Sequence, residues 1–339
     1  MIRAEVKHVP EDFLVRESVV VRTVREESAT HRLVLLRKCG YTTMEAVRGI
    51  ADALGIPEGS VGYCGLKDED GVTEQLLSLP IAVPGSAVER LAVDEGECWY
   101  CNQHYGFSDA PLRVGQMEGN SFKIVLRGLD HGHAEGFFGR KKINFMFLNY
   151  YDTQRFGVPG GPHRSHHVGA AMIDGRWDDA RRILIELGAP ESQLAADWTG
   201  TSRDFFYRLD ERARSFYPAA HASYAWNQEL AGLAAVAAGD RALRTTVEGI
   251  EFTYVGDPAD TARVMAAEYE LPIKRQTFGT DAPVSRASVR STVVQTVIEV
   301  SDRANDEYFP GRKRVELTFF LPSGSYATAA IRQLVAWII

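Results

Sequence analysis

The chain has no basic surplus. Its 38 lysines and arginines are outnumbered by 45 aspartates and glutamates, for a formal net charge of −7. A non-selective polyanion binder usually carries an excess of positive charge, so this balance argues against one, although a locally basic cleft is compatible with an acidic total. Charge alone favours an enzyme with a small substrate, such as a nucleoside hydrolase or lyase. Cysteine is scarce. Cys39, Cys64, Cys98 and Cys101 are too few for a disulfide scaffold. Cys98 and Cys101 form a single C-W-Y-C pair with only His104 close by, short of the roughly four ligands of a structural zinc site. They read as ordinary strand or loop cysteines, and no metal is expected. Long apolar runs are missing too. None reaches the ~18 residues of a membrane span, and the start, MIRAEVKHVPEDF, has no apolar signal-peptide core. A cytoplasmic protein without a membrane partner is expected. Internal repeats and low-complexity tracts are also absent.

What is present is a hydrophobic fraction of 45% over 339 residues, ample for a sizeable core and, at roughly 100–200 residues per domain, suggestive of two domains. Phe13–Val24 mixes alternation with β-branched residues and predicts a strand. His31–Gly40 predicts a second. Thr42 or Thr43 caps a helix over Met44–Ala53, ending near Gly55. Ser60–Ile81 reads as a short strand, the charged turn K-D-E-D-G, and a second strand or helix. In S-F-K-I-V-L-R-G-L, Phe122, Ile124 and Leu126 share a strand face. From His131 the chain reads as helix, then as loop through N-Y-Y-D-T-Q-R-F-G. Residues 165–245 look helical, with an apolar stripe at Ala180, Ile183, Leu184 and Leu187. Strands return at Val289–Val300 and Lys313–Pro322, before a terminal helix at Tyr326–Trp337. Helix-rich sequence between strand-rich ends suggests an inserted domain.

Periodicity names no reaction. The informative segment is G-L-K-D-E-D-G-V-T-E-Q, Gly65 to Gln75. An acidic residue behind glycine and lysine can be a nucleophile, a general base or a solvated turn carboxylate. Five further segments stand in order around it. They are K-H-V-P-E-D-F-L-V-R-E (Lys7–Glu17), H-R-L-V-L-L-R-K-C-G-Y-T-T (His31–Thr43), G-N-S-F-K-I-V-L-R (Gly119–Arg127), N-Y-Y-D-T-Q-R-F-G (Asn149–Gly157) and F-L-P-S-G-S-Y-A-T-A-A-I-R-Q-L (Phe320–Leu334). Together the six resemble the motifs of the TruD family of tRNA pseudouridine synthases across nearly the whole chain, the middle being least distinctive. The chain departs from that pattern at Asp70, at Gly71 where alanine is usual, at Tyr151-Asp152 in place of F-G, and at Met146-Phe147-Leu148 in place of G-V-P. Those changes bear on the rim of the cleft and the RNA target more than on the reaction.

The resemblance implies an α+β fold: a pseudouridine-synthase-like catalytic domain built on a mainly antiparallel mixed sheet (residues 1–158 and 306–339), plus a TRUD-type insertion domain (159–305). The substrate cleft is expected between them. It implies isomerisation of a uridine in RNA, first of all tRNA and position 13, with Asp68 as catalytic carboxylate. Lys7 would keep Asp68 ionised, Phe122 would stack on the uracil, and Asn120 would hydrogen-bond near the substrate or hold the loop. Glu17, Lys67, Gln154, Arg155, Phe156, Gly324 and Ser325 complete the set assigned to RNA binding, Arg155 as a phosphate fork and Phe156 as local packing. Arg140, Lys141, Lys142, Arg164, Arg312, Lys313 and Arg314 supply a basic surface, while His163, His166 and His167 lack a completing ligand and are assigned no metal. The reaction consumes no hydride, phosphate or water, so no cofactor is expected, and nothing requires a partner subunit beyond a monomer. A non-catalytic RNA binder, or a synthase acting on another RNA or position, are the alternatives.

Overall fold

The computed structural model describes residues 4–67, 69–137, 140–157, 161–278 and 283–338. Asp68, on which the catalytic expectation centres, lies outside the described residues. The chain divides into two compact units. The first comprises residues 1–144 and 296–324, the second 145–295 and 325–339.

The first unit carries β1 (Phe13–Val19), β2 (His31–Cys39), β3 (Gly62–Tyr63), β4 (Val72–Pro80), β5 (Ala92–Glu95), β6 (Cys98–Ser108), β7 (Met117–Leu129) and the start of β8 (Lys142–Leu148). The second carries β9 (Leu243–Val247), β10 (Ile250–Tyr254), β11 (Glu270–Phe278) and β12 (Pro283–Ser291). The chain then returns through β13 (Val293–Asn305) and β14 (Lys313–Pro322). One large sheet runs β5-β6-β2-β4-β1-β7-β14-β13-β8, with β3 on β4. β1 and β4 are parallel. The pairs β1–β7, β7–β14, β2–β4 and β2–β6 are antiparallel. The fold is therefore α+β on a mainly antiparallel mixed sheet. A segment late in sequence, β14, completes a sheet begun by the first strands.

Local sequence accounts for the elements that set up the site. In the helix Thr43–Leu54, Thr42 accepts from the Glu45 amide at 3.2 Å and Glu45 accepts from the Thr42 amide at 2.8 Å, a reciprocal cap, and Gly55 ends the helix in the left-handed region. Thr43, Ala46, Val47, Ile50 and Ala51 are buried, the 3.6-residue stripe that packs with Val34, Leu36, Leu77 and Leu79 of β2 and β4.

Two strand expectations change. Lys142–Leu148 is a strand, β8, where helix and loop were expected. Its alternation of buried Ile143, Phe145 and Phe147 is a period-2 pattern. Val289–Val300 is not one strand. It breaks at Thr292, whose buried hydroxyl donates to the Glu268 carbonyl at 2.6 Å.

In the second unit the 28-residue helix Glu211–Ala238 buries Trp226 among Tyr150, Phe252, Tyr254 and Leu271. Shorter helices between Ser165 and Arg208 enclose a cluster of Val168, Leu184, Phe205 and Phe206. The helical middle stands as expected.

Candidate active site

The first motif forms a brace. Asp12 closes the turn Pro10–Asp12 by accepting from the Val9 amide at 3.2 Å, and takes Arg127 Nε on both oxygens at 2.9 and 2.7 Å. Arg127 also reaches Asp306 at 3.3 Å. Both carboxylates are buried, so one guanidinium ties the amino-terminal segment, β7 and the segment after β13 together. Lys7 sits in the left-handed region at φ 63°, a conformation that costs a non-glycine residue about 1–3 kcal/mol and clusters at functional sites. Its ammonium lies 3.7 Å from Asp70 Oδ2 and 4.6 Å above the Phe13 ring.

The G-L-K-D-E-D-G loop is held by buried polar groups on either side of position 68. The Gly65 carbonyl accepts from Gln75 Nε2 at 3.1 Å, and the Lys67 amide donates to Thr43 Oγ1 at 2.8 Å. That hydroxyl donates to Gln75 Oε1 at 2.8 Å. The fully buried Lys38 donates to the carbonyls of Tyr41 at 2.7 Å and Lys67 at 3.3 Å. Beyond position 68 the Glu69 carbonyl accepts from the Gly40 amide at 3.1 Å. Gly71 has φ 115°, and a Cβ there would meet the Phe13 carbonyl oxygen at 2.5 Å. Glycine in place of the family's usual alanine thus fits the backbone this chain adopts.

Lys67 and Glu17, assigned to RNA binding from sequence, turn towards each other. Lys67 Nζ donates to Glu17 Oε1 at 2.6 Å, with side chains only 5% and 0% exposed. In this arrangement neither offers surface to a polymer, and the pair braces the loop against β1.

Across the sheet, register sets the remaining residues. Val15 of β1 faces Phe122 of β7 and Glu17 faces Asn120, while Phe319 of β14 faces Phe122. Side chains two apart share a face, so Glu17, Asn120, Phe122 and Phe13 lie together. Phe122 is buried, stacked on Phe319 at 5.5 Å and edge-on to Phe13 at 6.1 Å. Among the described residues, Glu17 Oε2, Asn120 Oδ1 and the nearby Thr73 Oγ1 are buried without a hydrogen-bond partner. Unmet buried acceptors are uncommon in native proteins, and each calls for an explanation such as a bound group.

The second unit holds the other assigned residues. Arg155 donates from Nε to Ser223 Oγ at 3.1 Å. Burial, and with it the field of Arg275, lowers its pKa. Phe156 is fully buried against His166 and Tyr224, as packing. Gln154 is exposed. Gly324 ends the first unit at φ 85°, and Ser325 opens the last segment of the second, before the helix Ala327–Ile338. Tyr151 and Asp152 are buried. Tyr151 packs edge-on to Trp226, and Asp152 accepts from Thr328 and Arg332, so this departure from the family pattern is absorbed by packing. Of the basic groups singled out in sequence, Lys142 pairs with Glu299 at 2.7 Å, and Arg314 with Asp302 and Glu307, each at 3.0 Å. Cys98 and Cys101 lie on β6.

The family model described as tRNA pseudouridine synthase D (TruD) matches residues 2–216. The chain belongs to the TruD family. Among its relatives, a tRNA pseudouridine synthase D from Geobacter sulfurreducens is 28% identical over 390 residues, covering 97% of this chain and 93% of the relative. One from Thermus thermophilus is 27% identical, covering 98% and 89%. A crystal structure of a TruD chain from Methanosarcina mazei superposes with a TM-score of 0.61 at 17% identity, over 99% of this chain and 95% of that one, which supports the fold. Within this TruD chain, Lys38, Thr43 and Gln75 are site residues that the motif reading missed. Strand parity held the signal: Lys38 shares a face with Val34 and Leu36, and Gln75 with Leu77 and Leu79. A polar group on an inward-facing position has to be bonded there. Among the described residues, no helix is long and apolar enough to cross a membrane.

Proposed function

We propose that this TruD-family enzyme converts uridine 13 of tRNA to pseudouridine in the cytoplasm, with Asp68 as the essential carboxylate. The N1–C1′ bond breaks, the uracil turns, C5 bonds to C1′, and the C5 proton is replaced by one on N1. Atoms balance without a co-reactant. Attack at C1′, attack at the base and proton abstraction each require an ionised carboxylate in a fixed place. The observation that carries the reading is the pinning of the loop backbone on both sides of position 68, beside a sheet face whose acceptors at Glu17 and Asn120 are unmet among the described residues. On this reading Asn120 receives a hydrogen bond from the bound nucleotide. Phe122 offers the uracil an aromatic surface, and Lys7, 3.7 Å from Asp70, contributes positive charge beside the loop. The catalytic domain is assigned to residues 1–158 and 306–339 and the insertion to 159–305.

Asp68→Asn tests it. The substitution keeps shape and removes charge. Purified wild-type protein, given unmodified tRNA without added metal or cofactor, should form pseudouridine by nucleoside mass spectrometry, and site-resolved mapping should place it at position 13. D68N should bind tRNA and form none. A fully active D68N would overturn the mechanism. Modification elsewhere would replace the position and keep the chemistry.

A further inference from the structure

The two-stranded ribbon β11–β12 of the second unit carries Lys274, Arg275, Arg286 and Arg290 against a single acid, Glu270. The residues that connect the strands, 279–282, lie outside the described residues and include Asp281. The antiparallel register puts Leu271 opposite Arg290, Ile273 opposite Ser288 and Arg275 opposite Arg286. Opposed residues share a face, so Arg275, Arg286 and Arg290 line one side of the ribbon. Near its base that face buries Leu271 and Ile273. Further out, Arg275 and Arg286 are exposed.

Two like charges directly opposed across a strand pair are destabilising, and among the described residues no acid offsets them. Among the described residues neither arginine has an ion pair. Arg275 donates only to the Tyr151 hydroxyl at 3.5 Å. Arg290 lies over the same Tyr151 ring at 4.1 Å and donates to the Asn149 carbonyl and side chain, each at 2.7 Å from Nη2. Arg155 is close enough for the field of Arg275 to act on it. The basic groups noted in sequence contrast with this: Lys142 and Arg314 already have acidic partners.

We propose that the arginine face of the β11–β12 ribbon, Arg275 and Arg286 with Arg290 at its base, is a binding surface for backbone phosphates of the RNA substrate. This rests on the reading of the enzyme as RNA-modifying. Arg286 and Arg290 are four residues apart, about 13 Å along an extended strand. That spread suits a polymer with several phosphates better than a single free anion. Bound phosphate offsets the opposed charges, and the two-donor edge of each guanidinium matches its geometry.

The test is the double variant Arg275→Gln/Arg286→Gln, which leaves the structural contacts of Arg290 intact. Affinity for unmodified tRNA should be measured by fluorescence anisotropy across a salt series. Loss of two phosphate contacts should weaken binding about tenfold at low salt and make the slope of log Kd against log salt shallower by about 1.4–1.8. The melting temperature should hold or rise, because a like-charge pair has been removed. Arg182→Gln is the control. Arg182 is also exposed but pairs with Asp179 and Glu186, and its loss should leave affinity within about twofold. Unchanged affinity and slope in the double variant would overturn the proposal while leaving the isomerase reading standing, provided the wild type still forms pseudouridine. An equal loss in R182Q would reduce the effect to net charge and would also overturn it. A wild type that neither binds nor modifies tRNA would sink both readings.

Discussion

Asn120 is where a single atom separates function from framework. Its Oδ1 is buried and unmet among the described residues, a state that costs a fold about 1–3 kcal/mol. A purely structural asparagine would have found a donor. Asn120→Ala removes the unmet acceptor, so it should leave the melting temperature level or higher. If the acceptor meets the nucleotide in the transition state, turnover should fall about 10²–10³-fold, the usual cost of losing one oriented polar contact at a reacting centre. Single-turnover kinetics with tRNA and a thermal melt of the same sample decide it. Normal turnover with raised stability would make Asn120 a framework defect and remove it from the site. The N-x-F motif singles out Asn120 and Phe122 from sequence, and the fold places both on one face of β7. The direction of a side chain was not legible. Lys67 reads as a group for RNA because a motif does not show that its ammonium turns inward to a carboxylate 2.6 Å away, whereas the alternative reading of Glu17, that it orients a basic side chain or braces its strand, is the arrangement found.

Among the elements, the loop around position 68 is a product of its neighbours more than of its own sequence. K-D-E-D-G reads as a solvated turn. The Lys67 carbonyl and amide are instead fixed by Lys38 on β2 and Thr43 on the helix that follows, and the Gly65 carbonyl just before the turn by Gln75 on β4. The helix and β2 were legible in the sequence, and β4 was left open between strand and helix; the convergence of all three on one loop was not legible, because it depends on strand pairing far apart in sequence. The missed strand β8 and the break at Thr292 have the same origin. Alternation in K-I-N-F-M-F-L was present but was passed over between a helix and a loop, and the run 289–300, rich in β-branched residues, gave no sign that a buried threonine divides it. Lys38→Met tests the scaffold. Methionine fills a similar volume and leaves the Tyr41 and Lys67 carbonyls without this donor. Removing a buried ammonium also relieves its desolvation cost, so the net loss of stability should be modest, about 1–3 kcal/mol. Turnover should fall much further, tenfold or more by the about 1.4 kcal/mol per decade of a misplaced group, and Lys38→Arg should not restore it, because a larger planar cation does not fit a fully buried site. Wild-type turnover in K38M would show that the loop is held without Lys38.

At the scale of the whole molecule, an acidic net charge proved a poor guide to the partner, because the family is set by six motifs while charge averages over every surface. The histidines of the second unit, assigned no metal from sequence, gave no sign of their surroundings: the fold buries His166, half-buries His163 and leaves His167 exposed. His166 stacks on Tyr224 at 4.2 Å and lies 4.1 Å from His167, with Nδ1 unmet among the described residues. Burial, then the positive fields of His167, His221 and Arg164, hold its pKa down at about 3, and burial lowers those of His167 and His221 as well. The consequence is acid sensitivity. The folded protein keeps His166 neutral, whereas the unfolded chain protonates it near the ordinary value of 6.5. Between those limits the unfolded state binds more protons, so the stability contributed is complete above pH 6.5 and is lost as pH falls towards 3. For His166 that loss should reach about 2 kcal/mol by pH 5, a range in which most carboxylates remain ionised. Four of the five tryptophans, Trp177, Trp198, Trp226 and Trp337, belong to the second unit, so tryptophan fluorescence follows its unfolding. Melts at pH 7 and pH 5 should show a clear drop in wild type and a smaller one in His166→Phe, which keeps the stacking surface and cannot take up a proton. An equal drop in both would mean that the acid sensitivity arises elsewhere, and no drop in wild type would mean that His166 accepts its charge in the folded state.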